Sequence, residues 1–256
     1  QEEAPAYQRG VLSPRLEMVR AGLAGLFGCD SEEIALMRST TEAMQTVLHG
    51  LDLQRDDEVL ITTQEYPALV GILKRREKRD GIRIKEISIP APPESLDALV
   101  NIFEREMTSK TRLILVSHPT YLNGQLFPIK RICEIAHQRG IEVAVDGAHS
   151  FGQIDFKHQD LDCDYYATSL HKWLSAPKGT GMLYVRRNKI GKVWPLTYTP
   201  EGMDDNIRKF EMGGAKSYGT FLGITDALAF HHGVGPKRKE ERLRYLAHYW
   251  AKRLQA

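Results

Sequence analysis

The spacing of apolar positions changes along the chain in a way that separates strands from helices. From residue 58 onward, short β-branched runs alternate with helical periodicity, the pattern of βα units around a mostly parallel sheet. It predicts strands over 58–62, 83–89, 112–116, 142–145, 165–168 and 181–185, with helices over 68–79, 95–107 and 129–139. Pro128 opens the last helix, where its missing N–H costs nothing, and Gly140 closes it. Upstream, 14–27 and 40–51 also read as helices. Met44, Val47, Leu48 and Leu51 fall at i, i+3, i+4 and i+7, a face suited to burial against the sheet. Ser39-Thr40-Thr41-Glu42 has capping-box spacing and marks where that helix starts.

Two stretches break the rhythm. Residues 189–219, rich in Gly, Pro and polar side chains, read as a long loop, which in a compact domain is more often functional than idle. After Pro236, the residues Leu243, Leu246, Ala247, Trp250 and Leu254 stripe one side of a basic helix. This reads as an amphipathic helix packed on something apolar rather than as a nucleic-acid binder.

Composition narrows the function classes. With 256 residues, 42% hydrophobic and 27% charged, the chain can bury a sizeable core. A net charge of +2 gives no global attraction to nucleic acid or to an anionic membrane, and no apolar run is long enough to span a bilayer. Cys29, Cys133 and Cys163 are odd in number and far apart, which argues against a disulfide framework and against a zinc site built on closely spaced pairs. The expectation is a cytoplasmic protein, although a chain beginning at Gln1 leaves room for a removed leader.

The candidates for chemistry gather at predicted strand ends, where open α/β sheets bind ligands. Ser117 and His118 follow one strand, Asp146 another and Ser169 a third. Asp146 ends the apolar run Val143-Ala144-Val145; its carboxylate can hold a pyridinium nitrogen protonated, or merely cap the next turn. Lys172, in Ser169-Leu170-His171-Lys172-Trp173, is an amine able to form a Schiff base once desolvation lowers its pKa, although most lysines are solvated surface charges. Lys178 is the rival and ranks lower, because the Gly-rich turn Pro177-Lys178-Gly179-Thr180-Gly181 leaves an ammonium hydrated. Such an amine and such an acid are the two groups that a pyridoxal 5'-phosphate (PLP) enzyme must supply. Ser39, Thr40 and Thr41 offer hydroxyls and N–H groups to the phosphate at a helix N-terminus, and Ser169 with His171 can close that cup. Plain capping is the alternative for Ser39 and Thr40. His149 is placed to hydrogen-bond a phenolic oxygen, but a lone histidine is more often structural. Tyr66 is placed to lie on the pyridine face, and otherwise is simply core.

The chain resembles the class V aminotransferase family of PLP-dependent fold type I enzymes, and within it the isopenicillin N epimerase-like proteins. Arg38-Ser39-Thr40-Thr41-Glu42, Val145-Asp146-Gly147-Ala148-His149 and Ser169-Leu170-His171-Lys172 match the family's phosphate, pyridine-nitrogen and Schiff-base motifs in order and spacing. The resemblance implies an α/β fold with a mostly parallel, seven-stranded-type sheet between helices. Residues 1–235 would form the large PLP-binding domain, and 236–256 a connecting helix leading to a small C-terminal domain that is largely missing. It implies that Lys172 carries the cofactor, Asp146 pairs with the ring nitrogen, His149 contacts the phenolic oxygen and Tyr66 stacks. Thr40, Thr41, Ser39, Ser169 and His171 would hold the phosphate. It also implies an amino-acid substrate and a homodimer in which a Gly-Thr pair from the partner completes the phosphate site. Here the matching pair is Gly214-Ala215, which lacks the hydroxyl.

Related cysteine desulfurases stack a histidine where this chain has Tyr66 and use a mobile cysteine from a later region, so desulfuration ranks lower. Many relatives place an asparagine at the phenolic oxygen where this chain has Tyr121, with Asn123 nearby; that role is left unassigned. The expected activity is epimerisation or transamination at an amino-acid Cα. Carbon–sulfur cleavage, desulfuration and a non-catalytic PLP-binding protein are the alternatives.

Overall fold

A computed structural model describes residues 8–212 and 217–255. Seven strands form one sheet in the order β1-β7-β6-β5-β4-β2-β3. They are β1 (Ile34–Met37), β2 (Glu58–Thr62), β3 (Arg83–Ile87), β4 (Thr111–Ser117), β5 (Glu142–Asp146), β6 (Tyr165–Ser169) and β7 (Gly181–Val185). The run β3-β2-β4-β5-β6 is parallel throughout, and β7 lies antiparallel between β6 and β1. The family's α/β sheet is thus present, and six of its strands fall where the apolar spacing puts them. The seventh, β1, has only four residues, all buried, too short a run to show a period.

The helices are α1 (Ser13–Phe27), α2 (Thr40–Gly50), α3 (Pro67–Asp80), α4 (Leu96–Glu106), α5 (Ile129–His137), α6 (Tyr218–Leu222), α7 (Ile224–Val234) and α8 (Pro236–Leu254). Parallel strands need crossovers, and the crossovers cover both faces of the sheet. Along β4, Ile114 and Val116 join the core under α1, α4, α5 and α7, while Leu113 and Leu115 join the core under α2 and α3. Both faces are dry, which explains why these strands read as continuous apolar runs. Met44, Val47 and Leu48 of α2, with Leu51 just beyond it, are buried as their spacing predicts.

The stretch 187–212 is less idle than a loop. It makes two 3-10 turns, Arg187–Lys192 and Ile207–Glu211, and is strapped down by charges. Arg208 pairs with Glu17 and Glu32, and Lys209 is buried with its ammonium on the carbonyls of Ile190 and Asp204. Helix α8 departs from expectation. It meets the body through Lys239, which donates to Trp173 O, and Glu240, which accepts from Asp155 N. Leu246, Ala247, Trp250 and Leu254 are exposed, so among the described residues the stripe has no apolar surface over it. No helix of the described residues is long and apolar enough to cross a membrane.

Candidate active site

The carboxyl ends of β2, β4, β5 and β6 and the N-terminus of α2 surround one cavity of about 270 Å³. Ser39, Thr40, Thr41, Tyr66, Ser117, Asp146, His149, Ser169, His171 and Lys172 all line it. Of the site residues expected from sequence, only Gly214 falls outside the described residues, together with Ala215. Lys178 lines a separate, neighbouring cavity with Arg38 and Glu42, so the rival amine does not face Asp146.

At one end the cavity is built by hydroxyls and amides. Ser39 is the N-cap of α2, its side chain accepting from Glu42 N. The reciprocal half of the capping box goes elsewhere: Glu42 accepts from Arg38 N at 2.7 Å and from the Arg38 guanidinium, not from Ser39 N. Thr40 N donates to Ser169 Oγ at 2.9 Å, and the two hydroxyls lie 2.8 Å apart, joining α2 to the end of β6. Thr41 N, in the first turn, has no protein acceptor among the described residues, which leaves one N–H and the positive end of the helix for an anion. His171 Nδ1 lies 3.0 Å from Thr180 O. A carbonyl can only accept, so Nδ1 carries the proton and Nε2 is the ring's other bonding atom.

At the other end lies Asp146, the last residue of β5 and buried. Its Oδ1 accepts from Ala148 N at 3.0 Å, as in a simple Asx turn. Burial pushes its pKa up, with Lys172 acting the other way. A carboxylate in this position gains from a cationic or N–H partner. Lys172 is exposed by surface area, yet enough protein surrounds its amine that burial lowers its pKa, with Asp146 opposing. The amine sits 3.3 Å from His149 Nε2, and the indole N–H of Trp173 donates to His149 Nδ1 at 3.2 Å. Tyr66 and Tyr121 form one wall, edge to face with centroids 5.5 Å apart.

The sequence grouped Ser117 with His118, but the strand end separates them. Ser117 lines the cavity, whereas His118 turns its ring edge-on to Phe156, where burial pushes its pKa down to about 4. Asn123 spends its side-chain oxygen on Thr120 Oγ1 and Gln125 N. Glu65 is buried behind Ser117, accepting from the Thr62 hydroxyl at 2.6 Å and the Ser117 hydroxyl at 2.5 Å. Burial, helped by Asp146, pushes its pKa up to about 7. Its one signal in sequence was an acid beside Tyr66 in the loop after a strand.

The aminotransferase class-V family model matches residues 9–256. The chain belongs to the class V aminotransferase family. It is similar to isopenicillin N epimerase from Amycolatopsis lactamdurans, 32% identical over 95% of this chain and 66% of that protein. It is also similar to a probable cysteine desulfurase from Halalkalibacterium halodurans, 29% identical over 88% of this chain and 57% of the relative. Among solved structures it resembles a lysine-to-alanine mutant of C-DES with glycine covalently linked to the PLP cofactor. That match has 26% identity and a TM-score of 0.81, over 91% of this chain and 64% of the other. The chain therefore spans about two-thirds or less of the length of these family members.

Proposed function

We propose that the protein is a PLP-dependent enzyme acting at the amino group and Cα of an amino-acid substrate, of the epimerase or aminotransferase type. One observation carries this reading: an amine, a buried carboxylate and a hydroxyl-lined helix N-terminus meet in a single cavity. The donor set suits the cofactor at both ends. Asp146 is a buried acid whose side chain has a single protein hydrogen bond among the described residues, and Thr41 N is an amide awaiting an acceptor.

Bound PLP supplies an aldehyde for an amine and a ring that withdraws electrons from the Cα–H bond of an attached amino acid. The chain's own residues do the rest. Lys172 would provide the amine that holds the cofactor and a base for the Cα proton of the substrate. Asp146, ionised beside a protonated ring nitrogen, keeps the proton on that nitrogen. Ser39, Thr40, Thr41, Ser169 and His171 would hold the phosphate, Tyr66 would cover the ring, and His149 would offer Nε2–H to the phenolic oxygen. Whether the proton returns to the opposite face of Cα or to another carbon separates epimerisation from transamination. The relationship to isopenicillin N epimerase supports the first.

Carbon–sulfur cleavage is the second reading, supported by the similarity to a probable cysteine desulfurase. Against a persulfide relay, none of Cys29, Cys133 and Cys163 lines the cavity, and burial pushes the thiol pKa up at all three. The family resemblance also supports a homodimer, which light scattering tests. Titration with PLP should produce a visible absorbance band in the wild type and none in Lys172→Ala. A band that persists in the variant ends the assignment. With the holoenzyme, loss of Cα deuterium from a labelled amino acid without sulfide or pyruvate release favours chemistry at Cα, and release favours the second reading.

A further inference from the structure

Trp173 lies beside the amine but plays no part in the scheme above. Its indole N–H can only donate, and it points at His149 Nδ1 from 3.2 Å. His149 Nδ1 must therefore present a lone pair, and a neutral imidazole then carries its proton on Nε2. That atom is 3.3 Å from the Lys172 amine. Only one protonation pattern satisfies both contacts: Nε2–H donates, and Lys172 accepts through the lone pair of a free amine. An ammonium at Lys172 would face an N–H across that distance. An imidazolium at His149 would turn its Nδ1–H against the indole N–H of Trp173.

We propose that Trp173 is a positioning residue that sets the tautomer of His149 and, through it, holds Lys172 as the unprotonated amine the cofactor requires.

The arrangement is built rather than incidental. The turn after β5 that carries His149 and the loop after β6 that carries Lys172 and Trp173 approach so closely that no side chain fits at Gly152. A Cβ there would lie 2.9 Å from Leu174 N and 3.1 Å from Trp173 C, and the backbone is left-handed with φ of +78°. From α8, Lys239 donates to Trp173 O and fixes the backbone of that residue. The loop closes on itself through Ala176 N to Leu170 O and Ser175 N to Lys172 O.

The charged and titratable groups around the pair act in two directions. Asp146 favours an ammonium at Lys172, while burial disfavours it. At His149, burial and Lys172 both disfavour the imidazolium. His171, Tyr66 and Tyr121 complete the titratable lining of the cavity, and Asp146 in turn raises the pKa of Glu65 behind it. Burial therefore acts in the same direction as the two hydrogen bonds, toward a free amine and a neutral imidazole, with Asp146 opposing it at Lys172.

The proposal rests on Lys172 being the amine that takes the cofactor, but its test uses the full chain without cofactor. Long-range ¹H–¹⁵N spectra of histidine-labelled protein read the tautomer of His149, assigned by its loss in His149→Gln. The rate of imine formation with salicylaldehyde against pH, less that of Lys172→Ala, reads the Lys172 midpoint. We expect the Nε2–H form in the wild type. Trp173→Phe, which keeps a ring and removes the N–H, should admit the Nδ1–H form. It should also move the Lys172 midpoint upward, slowing the reaction at neutral pH roughly two- to tenfold, the range of one neutral hydrogen bond. A wild-type proton on Nδ1, or a variant with tautomer and midpoint unmoved, overturns the proposal. If Trp173→Phe does not fold, the wild-type tautomer alone decides. The expected tautomer and midpoint shift, in a protein that gives no visible band with PLP, would defeat the cofactor reading and leave the role of Trp173 standing. A band with the wrong tautomer does the reverse.

Discussion

At the scale of single residues, the site works by withholding water from groups that prefer to be charged. Lys172 is shifted toward its free amine and Asp146 toward its acid, and the charge of each partly offsets the shift of the other. Glu65 carries the same physics further from the cavity. Its folded-state pKa of about 7 lies above the ordinary carboxylate value of 4.5. Between those values the folded protein keeps a proton that the unfolded chain has released. Stability from this group therefore falls as pH rises through that window, by on the order of 3 kcal/mol in all, and is level above it. Glu65→Gln removes the slope. Urea denaturation from pH 4.5 to 8 should show the wild type converging on or dropping below the variant, and parallel curves would rule out the shift. The residues named from sequence share one trait: each ends or follows an apolar run. Glu65 stood beside one of them, and its environment comes from Ser117, 52 positions away, so no local pattern marked it.

At the scale of elements, the proposed anion-binding end depends on how closely α2 approaches the β6–β7 strand pair. Gly181 opens β7 where a Cβ would meet Ser39 N at 2.7 Å, Ser39 Cα at 2.8 Å and Thr168 O at 2.9 Å, all of them backbone. Gly181→Ala should push the N-terminus of α2 away from Ser169, costing about 1–3 kcal/mol of stability and weakening phosphate binding more than amine reactivity. Isothermal titration with inorganic phosphate, set beside the salicylaldehyde rate, checks that division; equal losses in both would mean general disruption. The capping sequence predicted where α2 starts because a cap is local. It could not predict that Glu42 would turn to Arg38, since that depends on how β1 delivers the chain. The short β1 itself has meaning only as a partner for β7.

At the scale of the whole molecule, charges tie the β1 edge to distant segments. Glu211 accepts from Arg20 at 2.5 Å and from Leu36 N at 2.7 Å, and Arg20 also donates to Ile34 O. Arg20 is almost wholly buried, so removing its partner leaves a charge with little solvent. Glu211→Ala should cost up to about 3–5 kcal/mol, moderated by Glu17, which also reaches Arg20. Removing Glu104, whose partner Arg139 is exposed, should cost about 0–1 kcal/mol. Denaturant midpoints compare the two, and similar losses would mean the buried network does not brace the edge. This network turns 187–212 from the loop that its composition suggests into a strap. The sequence by itself determined the alternation of strands and helices, the start of α2 and the strand-end positions of Asp146 and Ser169. Those features depend on neighbours a few positions apart, through period, capping and turn chemistry. Only the tertiary structure decided that Lys172 rather than Lys178 faces Asp146, that His118 turns away, that Glu65 is buried behind Ser117 and that Trp173 addresses His149. Each is a matter of direction and dielectric, which arise when segments far apart in the chain exclude water from a shared space.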